Sequence, residues 1–426
     1  MINMNSALRQ LFIATHVCAL AWLPGVLAAE PASTVTLGAS VPALIEWVDQ
    51  HNAELAAMRL EVEAAQARTQ SAGAFEDPML SMELQDIDPD DPQFLPGQVG
   101  STKYTFLQNF PFWGKRGLRH GTALSAADEA QGKLLATAAQ LHAQVKSAFA
   151  RYFYVHHAQR LTVEVLSLLK DLERIAQTRY STGLAPQQDV IKAQTEQTAL
   201  RLELLSLQAE KRQAQARLNA LLNRPATASF TEPAELRTSP QMLDVAQLEE
   251  RARLGNPQLR VLAAQIDGAQ NTDRLVAKNR YPDLAVGISP IQRGDRIDSW
   301  ELMFEVNIPL QQSARRGQES EARALLAAAQ QRVQAVAAAV SGEIQEAAAG
   351  FEAAREQEHL LRSTLLPQAE ATFSSAIASY QTGKVDFATL LEAQRSIRSA
   401  RISLLKARLD VELRLTDVER LTGENL

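Results

Sequence analysis

Cysteine is almost absent: among 426 residues there is one, Cys18. It falls in a stretch with the marks of a secretion leader, residues 1–29, in which Arg9 gives the positive start and Leu11 to Leu23 the apolar run. Pro24-Gly25 breaks that run, and Val26-Leu27-Ala28 or Leu27-Ala28-Ala29 supplies a small-residue cleavage site. A chain cut there keeps no thiol, which excludes disulfides and thiolate metal sites. Thr15-His16-Val17 precede Cys18 where a lipid-modified cysteine wants small residues, so lipid anchoring is not expected either. Aromatics are scarce, at 5% of the chain, and the apolar fraction rests on Ala and Leu, which suits long helices better than a thick globular core. Basic residues are not in excess. Without Arg9 there remain 42 basic against 49 acidic side chains, a balance that argues against nucleic acid as a partner.

Two further absences narrow the class. Nothing after residue 29 approaches the ~18–20 consecutive apolar residues of a spanning helix. If the remainder enters a membrane, it must do so as a closed β-barrel, the only other way to satisfy backbone polar groups in lipid. Signatures of catalysis are also missing. Gly97 to Lys103 does not meet the phosphate-loop spacing, and neither Gly-x-Ser-x-Gly nor His-Glu-x-x-His occurs. His156 and His157 are adjacent and would point about 100° apart on a helix, so they cannot grip one ion. The loop Asp86-Ile87-Asp88-Pro89-Asp90-Asp91-Pro92 resembles the start of a calcium loop but lacks the glycine and is stiffened by its prolines. It reads as an acidic, solvated connection. No enzyme activity, cofactor or resident metal site is expected.

What the chain does contain, it contains twice. Tyr180-Ser181-Thr182-Gly183, running on to Ala193-Gln194, returns two hundred residues later as Tyr380-Gln381-Thr382-Gly383, running on to Ala393-Gln394. Each stretch lies between long Ala/Leu/Gln-rich segments, so each reads as the tip of a helical hairpin that glycine ends without a Cβ penalty. Pro186 and Asp386 then suit the start of the returning helix. A helix expected over about 41–74 also recurs: Asn52, Leu55, Val62, Ala65 and Gln66 match Asn256, Leu259, Ile266, Ala269 and Gln270. The expected organisation is a first repeat over 30–223 with its tip near 180–186, a linker over 224–241 containing Pro225, Pro233 and Pro240, and a second repeat over 242–426 with its tip near 380–386.

Within each repeat the hydrophobic period switches from helical to two. Strands are expected near 79–85 and 102–110, then near 283–289 and 298–308. On the last strand Trp300, Leu302, Phe304, Val306 and Ile308 form one face, and Glu301, Met303, Glu305 and Asn307 the other. An apolar face backed by carboxylates suits lipid outside and water inside, although a hairpin packed on a soluble core would give the same alternation. Each hairpin leads into some sixty residues with little to stop a helix, a reach of roughly 90 Å, with Pro367 the one expected kink. The seam on these helices is of coiled-coil type. Leu161, Val165, Leu168, Leu172 and Ile175 step four, three, four, three, and Leu390, Ile397, Leu404, Val411 and Val418 recur every seven, with Ala393, Ala400 and Ala407 between them.

The leader, the duplicated strand pairs with long helices, and the two Tyr-x-x-Gly tips together resemble the TolC-like outer-membrane efflux proteins. Gln108-Asn109-Phe110-Pro111-Phe112-Trp113-Gly114-Lys115-Arg116-Gly117 and Phe75-Glu76-Asp77-Pro78 are similar to the heavy-metal branch of that family, the ducts of cation-exporting resistance-nodulation-division (RND) pumps. Lys115 and Arg116 also suit anchoring near the membrane interface. The resemblance implies a mainly α fold with a transmembrane β-barrel: a homotrimer in which each protomer gives four strands to one twelve-stranded barrel and its helices to a periplasmic tunnel. It implies the outer membrane of a Gram-negative bacterium, contact with lipid, and an RND pump and periplasmic adaptor as partners. Four strands alone are too few to close a barrel, which agrees. The alternatives are a duct for drugs or secreted polypeptides, or a soluble periplasmic coiled-coil scaffold or adaptor. In the family the tips close the tunnel and receive the adaptor, which assigns that work here to Tyr180, Thr182, Gly183, Asp189, Tyr380, Thr382, Gly383, Lys384 and Glu392. Asp189 stands at the first-tip gate carboxylate, Tyr380 at the tyrosine that can reach it, and Glu392 at a tunnel-constricting carboxylate. Thr389 and Val385 occupy positions where the family pattern has a second carboxylate and an arginine, so the usual lock is incomplete.

Overall fold

The computed structural model describes residues 37–424 apart from 39 and 234, and the leader at 1–29 lies outside the described residues. Thirteen helices and strands can be followed in chain order. Helices α1 (Val41–His51) and α2 (Ala53–Ala72) precede the hairpin β1 (Met79–Gln85) and β2 (Ser101–Phe110), followed by α3 (Lys115–Ser181) and α4 (Gln187–Leu221). The second copy runs α5 (Val245–Gly255), α6 (Pro257–Lys278), β3 (Asp283–Arg293), β4 (Arg296–Asn307), α7 (Gln312–Leu360), a π-helical turn (Leu361–Leu365), α8 (Leu366–Gln381) and α9 (Phe387–Thr422). At 67 residues, α3 spans ~100 Å by its rise per residue.

The single helix expected over 41–74 is broken at Asn52, and the reason is a long-range bond. Asn52 Oδ1 accepts from the backbone N–H of Glu54 and Leu55, while its Nδ2 donates 3.0 Å to the carbonyl of Leu221, where α4 ends. Asn256 repeats this in the second copy: its Oδ1 accepts from Gln258 and Leu259, and its Nδ2 donates 2.8 Å to Leu421 O near the end of α9. Each repeat is thereby stitched from its first helical break to the end of its last helix, and helix-end carbonyls that water would otherwise serve are satisfied inside the protein.

The four strands form one antiparallel sheet in the order β1-β2-β3-β4. β3 and β4 meet in a tight turn, with Arg293 opposite Arg296 and Gly294 at φ +57°. β3 is longer than expected. Proline usually ends a strand because it offers no N–H, yet Pro290 stays opposite Trp300, and the ladder absorbs an irregularity at Ile291/Gln292 instead. The registers put one kind of side chain on each face. Leu284 stands opposite Val306, Val286 opposite Phe304, Ile288 opposite Leu302, and Phe106 opposite both Leu80 and Ile288. All of these are exposed in the protomer, Phe304 by 74%. On the other face Lys103 pairs with Glu301 at 2.5 Å, and the Thr105 and Ser289 hydroxyls lie 2.9 Å apart. A sheet with a bare apolar face and a hydrogen-bonded polar face belongs between lipid and water.

The junction of sheet and helices is fixed by Lys115 and Asp283. Lys115 is 3% exposed; its Nζ donates 2.8 Å to Asp283 Oδ1 and 3.2 Å to Tyr281 O, and Asp283 also accepts from Phe112 N–H. Arg116 donates twice to Gly73 O and lies 3.4 Å over the Phe75 ring. Neither side chain is thus the interfacial anchor that the sequence suggested. Trp113, 90% exposed, and Leu310, 81% exposed at the equivalent junction of the second copy, stand clear of the protein.

Helices α3 and α9 pack side by side, with α4 on α3 and with α7 and α8 on α9. The expected seam on α3 is shifted. Leu161, Val165 and Leu172 are buried, but Leu169 and Ala176 are fully buried where Leu168 and Ile175 are only partly so. A straight helix of 3.6 residues per turn drifts off a strict seven-residue repeat, and α3 must also serve two neighbours. On α9 Leu390, Ile397, Val411, Val418 and the three alanines are buried and Leu404 partly so. The linker is held by charge: Arg237 bonds Glu419 and reaches Glu412, and Glu419 pairs with Lys146 of α3 at 2.8 Å. Burial pushes the Glu412 carboxyl up, against the pull of Arg237.

Candidate functional site: the paired helical tips

Both tips are built by the same local chemistry. Leu184 N–H returns to Arg179 O at 2.7 Å and Gly183 N–H to Tyr180 O at 3.0 Å; Lys384 to Ser379 and Gly383 to Tyr380 repeat this at 2.9 and 3.0 Å. This double closure needs a left-handed residue, and Gly183 and Gly383 sit at φ +73° and +74°. Thr182 and Thr382 turn their hydroxyls back onto the carbonyls of the last turn, 178/179 and 378/379. These four residues shape the turns. The restart differs between the copies. Asp386 caps α9 by accepting from Thr389 N–H and Oγ1, whereas Pro186 begins α4 without a side-chain cap.

The structure brings the two tips together and makes them unlike. Tyr380 is 2% exposed, packed on Phe387 with ring centroids 5.4 Å apart, while its counterpart Tyr180 is 46% exposed. Arg179 joins them. Its guanidinium carbon lies 4.8 Å over the Tyr380 ring, and Nη1 donates to the carbonyls of Tyr380 and Gln381. One side chain therefore holds the end of α8 from the end of α3 by cation–π attraction and charge-assisted bonds. Sequence reasoning did not single out Arg179. The available signal was the difference between the copies, since Ser379 stands at the equivalent position.

Asp189 is buried at 8% exposure, and burial raises its pKa; Asp386 adds to this, while Lys192 and Arg179 work against it. Burial likewise raises the Tyr380 phenol, with the Asp189 charge as the second cause. The two groups feel each other, but no hydrogen bond joins them within the protomer: Tyr380 Oη is buried without a partner among the described residues, as is Arg179 Nε. The lysine whose charge reaches Asp189 and Asp386 is Lys192. Lys384, Thr389 and Glu392 are exposed, and Glu392 lies close enough to influence Arg395. Farther from the tips, Arg395 grips Glu196 and Arg398 grips Glu203 at 2.8 Å, two ties between α4 and α9 that the sequence reading also missed. His156 and His157 lie mid-way along α3 with ring centroids 5.4 Å apart, and no group of three or more His, Cys, Asp or Glu side chains among the described residues is arranged to hold a metal ion.

Comparison with known proteins adds four matches. Residues 44–224 and 248–424 match the family model "Outer membrane efflux protein". The cobalt-zinc-cadmium resistance protein CzcC of Cupriavidus metallidurans is 24% identical over 311 residues, 73% of this chain and 74% of that protein. Among solved structures, the outer membrane protein VceC of Vibrio cholerae superposes with a TM-score of 0.77 at 19% identity, covering 90% of this chain and 96% of its own. CusC, described in connection with transmembrane channel formation, gives 0.73 at 17% identity over 92% and 94%.

Proposed function

Because the chain belongs to the outer membrane efflux protein family, we propose that it is the passive exit duct of a tripartite pump, a homotrimer that carries heavy-metal cations outward from an RND pump through a periplasmic adaptor. The observation that carries this reading is the polarity of the protomer. A one-faced sheet suited to lipid and water stands at one end of helices ~100 Å long, and a pair of tied tips at the other. Copies of the sheet close a barrel that four strands cannot close alone. The tips are the periplasmic gate, and their exposed side chains, Tyr180, Lys384 and Glu392 among them, are the surface offered to the adaptor. Three Glu392 carboxylates around a narrow mouth would favour cations. The duct makes and breaks no bond.

The name of the relative from Cupriavidus supports cobalt, zinc or cadmium as cargo. Deleting the gene tests this: sensitivity to zinc, cobalt and cadmium should rise, with sensitivity to detergents unchanged. The reverse pattern would reassign the duct to drugs. The purified protein should run as a heat-sensitive trimer and conduct in planar bilayers, whereas a periplasmic monomer without conductance would make it a scaffold.

A further inference from the structure

Both flanks of the helical layer carry bare apolar surface at one height. On α4, Ala193, Leu200 and Leu207 face inward, while Leu202 and Leu205, 64% and 62% exposed, point away from α3 and α9. On the other flank Leu360 and Leu365, 53% and 45% exposed, border an open apolar groove of about 590 Å³ that reaches from Ala353 to Gln368. The groove coincides with the π-helical turn Leu361–Leu365. Pro367 lacks an N–H and its ring crowds the carbonyl four residues earlier, and one wide turn relieves both faults.

The heights match. Leu202 and Leu205 lie 15 and 18 residues into α4 from its start at Gln187, or ~22 and ~27 Å from the tip at 1.5 Å per residue. Leu365 and Leu360 lie 16 and 21 residues before the end of α8 at Gln381, or ~24 and ~31 Å. The sheet supplies the direction. β1 and β4 are its two open edges, and β4 runs into α7. A ring of copies that pairs β4 with the next copy's β1 therefore sets the α7–α8 flank of one protomer against the first-repeat flank of the next. A second copy of the chain meets sheet edge and helix flank together.

We propose that the groove at the π-helical turn is the socket for Leu202 and Leu205 of the neighbouring protomer, so that the irregularity made by Pro367 fixes the axial register of the helical wall. This rests on the duct reading, in which copies close the barrel. The test uses the full chain with Cys18→Ser, which leaves no other thiol. Leu202→Cys or Leu205→Cys is combined with Leu360→Cys or Leu365→Cys, and the protein is oxidised in the membrane. At least one pair should give covalent trimers on denaturing gels. Leu205→Cys with Ser374→Cys, ~16 Å closer to the tip by residue count, should give none. Trimers by native mass without a cross-link from any of the four pairs, or a disulfide within one chain, would overturn the socket while leaving the duct intact. Absence of any oligomer would instead overturn the duct.

Discussion

At position 179 a guanidinium does what the hydroxyl of Ser379 cannot: it reaches across to the other hairpin and holds it by ring face and carbonyls together. Loss of a charged hydrogen bond costs about 1.5–3 kcal/mol, roughly tenfold to a hundredfold in a closed-to-open ratio. Arg179→Ala is therefore expected to raise the resting conductance of the assembled channel, and vancomycin uptake by cells, by about that factor. Arg179→Lys should recover only part of the closure, because an ammonium keeps the charge but loses the planar fork. Tyr380→Phe removes a hydroxyl that has no partner among the described residues of the protomer, so alone it should leave conductance near the parental level. A leak from Tyr380→Phe as large as from Arg179→Ala would show that the phenol bonds across protomers. The tip residues were legible because Tyr-x-x-Gly is local chemistry, written where it acts. Arg179 was not, because its partner lies 201 residues away and an arginine in the last turn of a helix looks like an ordinary dipole partner.

At the scale of the element, α3 carries a pH dependence of its own. His156 Nδ1 and His157 Nε2 are buried without partners among the described residues, and burial lowers both imidazole pKa values from 6.5. A histidine whose folded pKa lies below its unfolded one contributes full stability above about pH 6.5 and loses it as the pH falls, since the unfolded chain takes up protons that the fold refuses. The thermal midpoint should thus fall between pH 7.5 and 5.5, and fall less in a His156→Gln/His157→Gln variant. An equal drop in both would assign the acid sensitivity elsewhere. Strands and long helices were legible from period alone, two against 3.6. The break at Asn52 was not, since Ala53 continues a good helical pattern and the cause is a carbonyl at the end of α4. The second copy did carry the clue: Pro257 follows Asn256, and proline at the first helical position marks a new start. The π-helical turn was half legible, as Pro367 promised a kink without saying that the backbone would widen.

For the whole molecule, the apolar sheet face sets the terms of assembly. Phe304 is among its most exposed side chains; Phe304→Arg at mid-membrane depth should cost about 2–4 kcal/mol per protomer. Heat-resistant oligomer in the outer-membrane fraction should fall accordingly, while Glu305→Gln on the opposite face should leave it unchanged. Equal loss from both changes would mean that the face is not in lipid. The polar face was foreseen from the alternation of strand residues, but its cross-strand tie, Lys103 to Glu301, depends on a register that brings residues 198 apart into contact, which no local pattern encodes.

The asparagine stitch that occurs at both Asn52 and Asn256 has a historical consequence. A bond that ties a repeat's first break to its own last helix, and never to the other repeat, is what a half-length ancestor would have used to close on itself. Such a half carries two strands, so a ring of given girth would have needed twice as many copies, all with identical mouths. Within one chain the two halves are free to differ. One tyrosine could sink into the core while the other stayed in water, and an arginine could appear on one side only. The halves thus share their stitches and differ at their tips, where one tyrosine is buried and held by an arginine and the other stands in water.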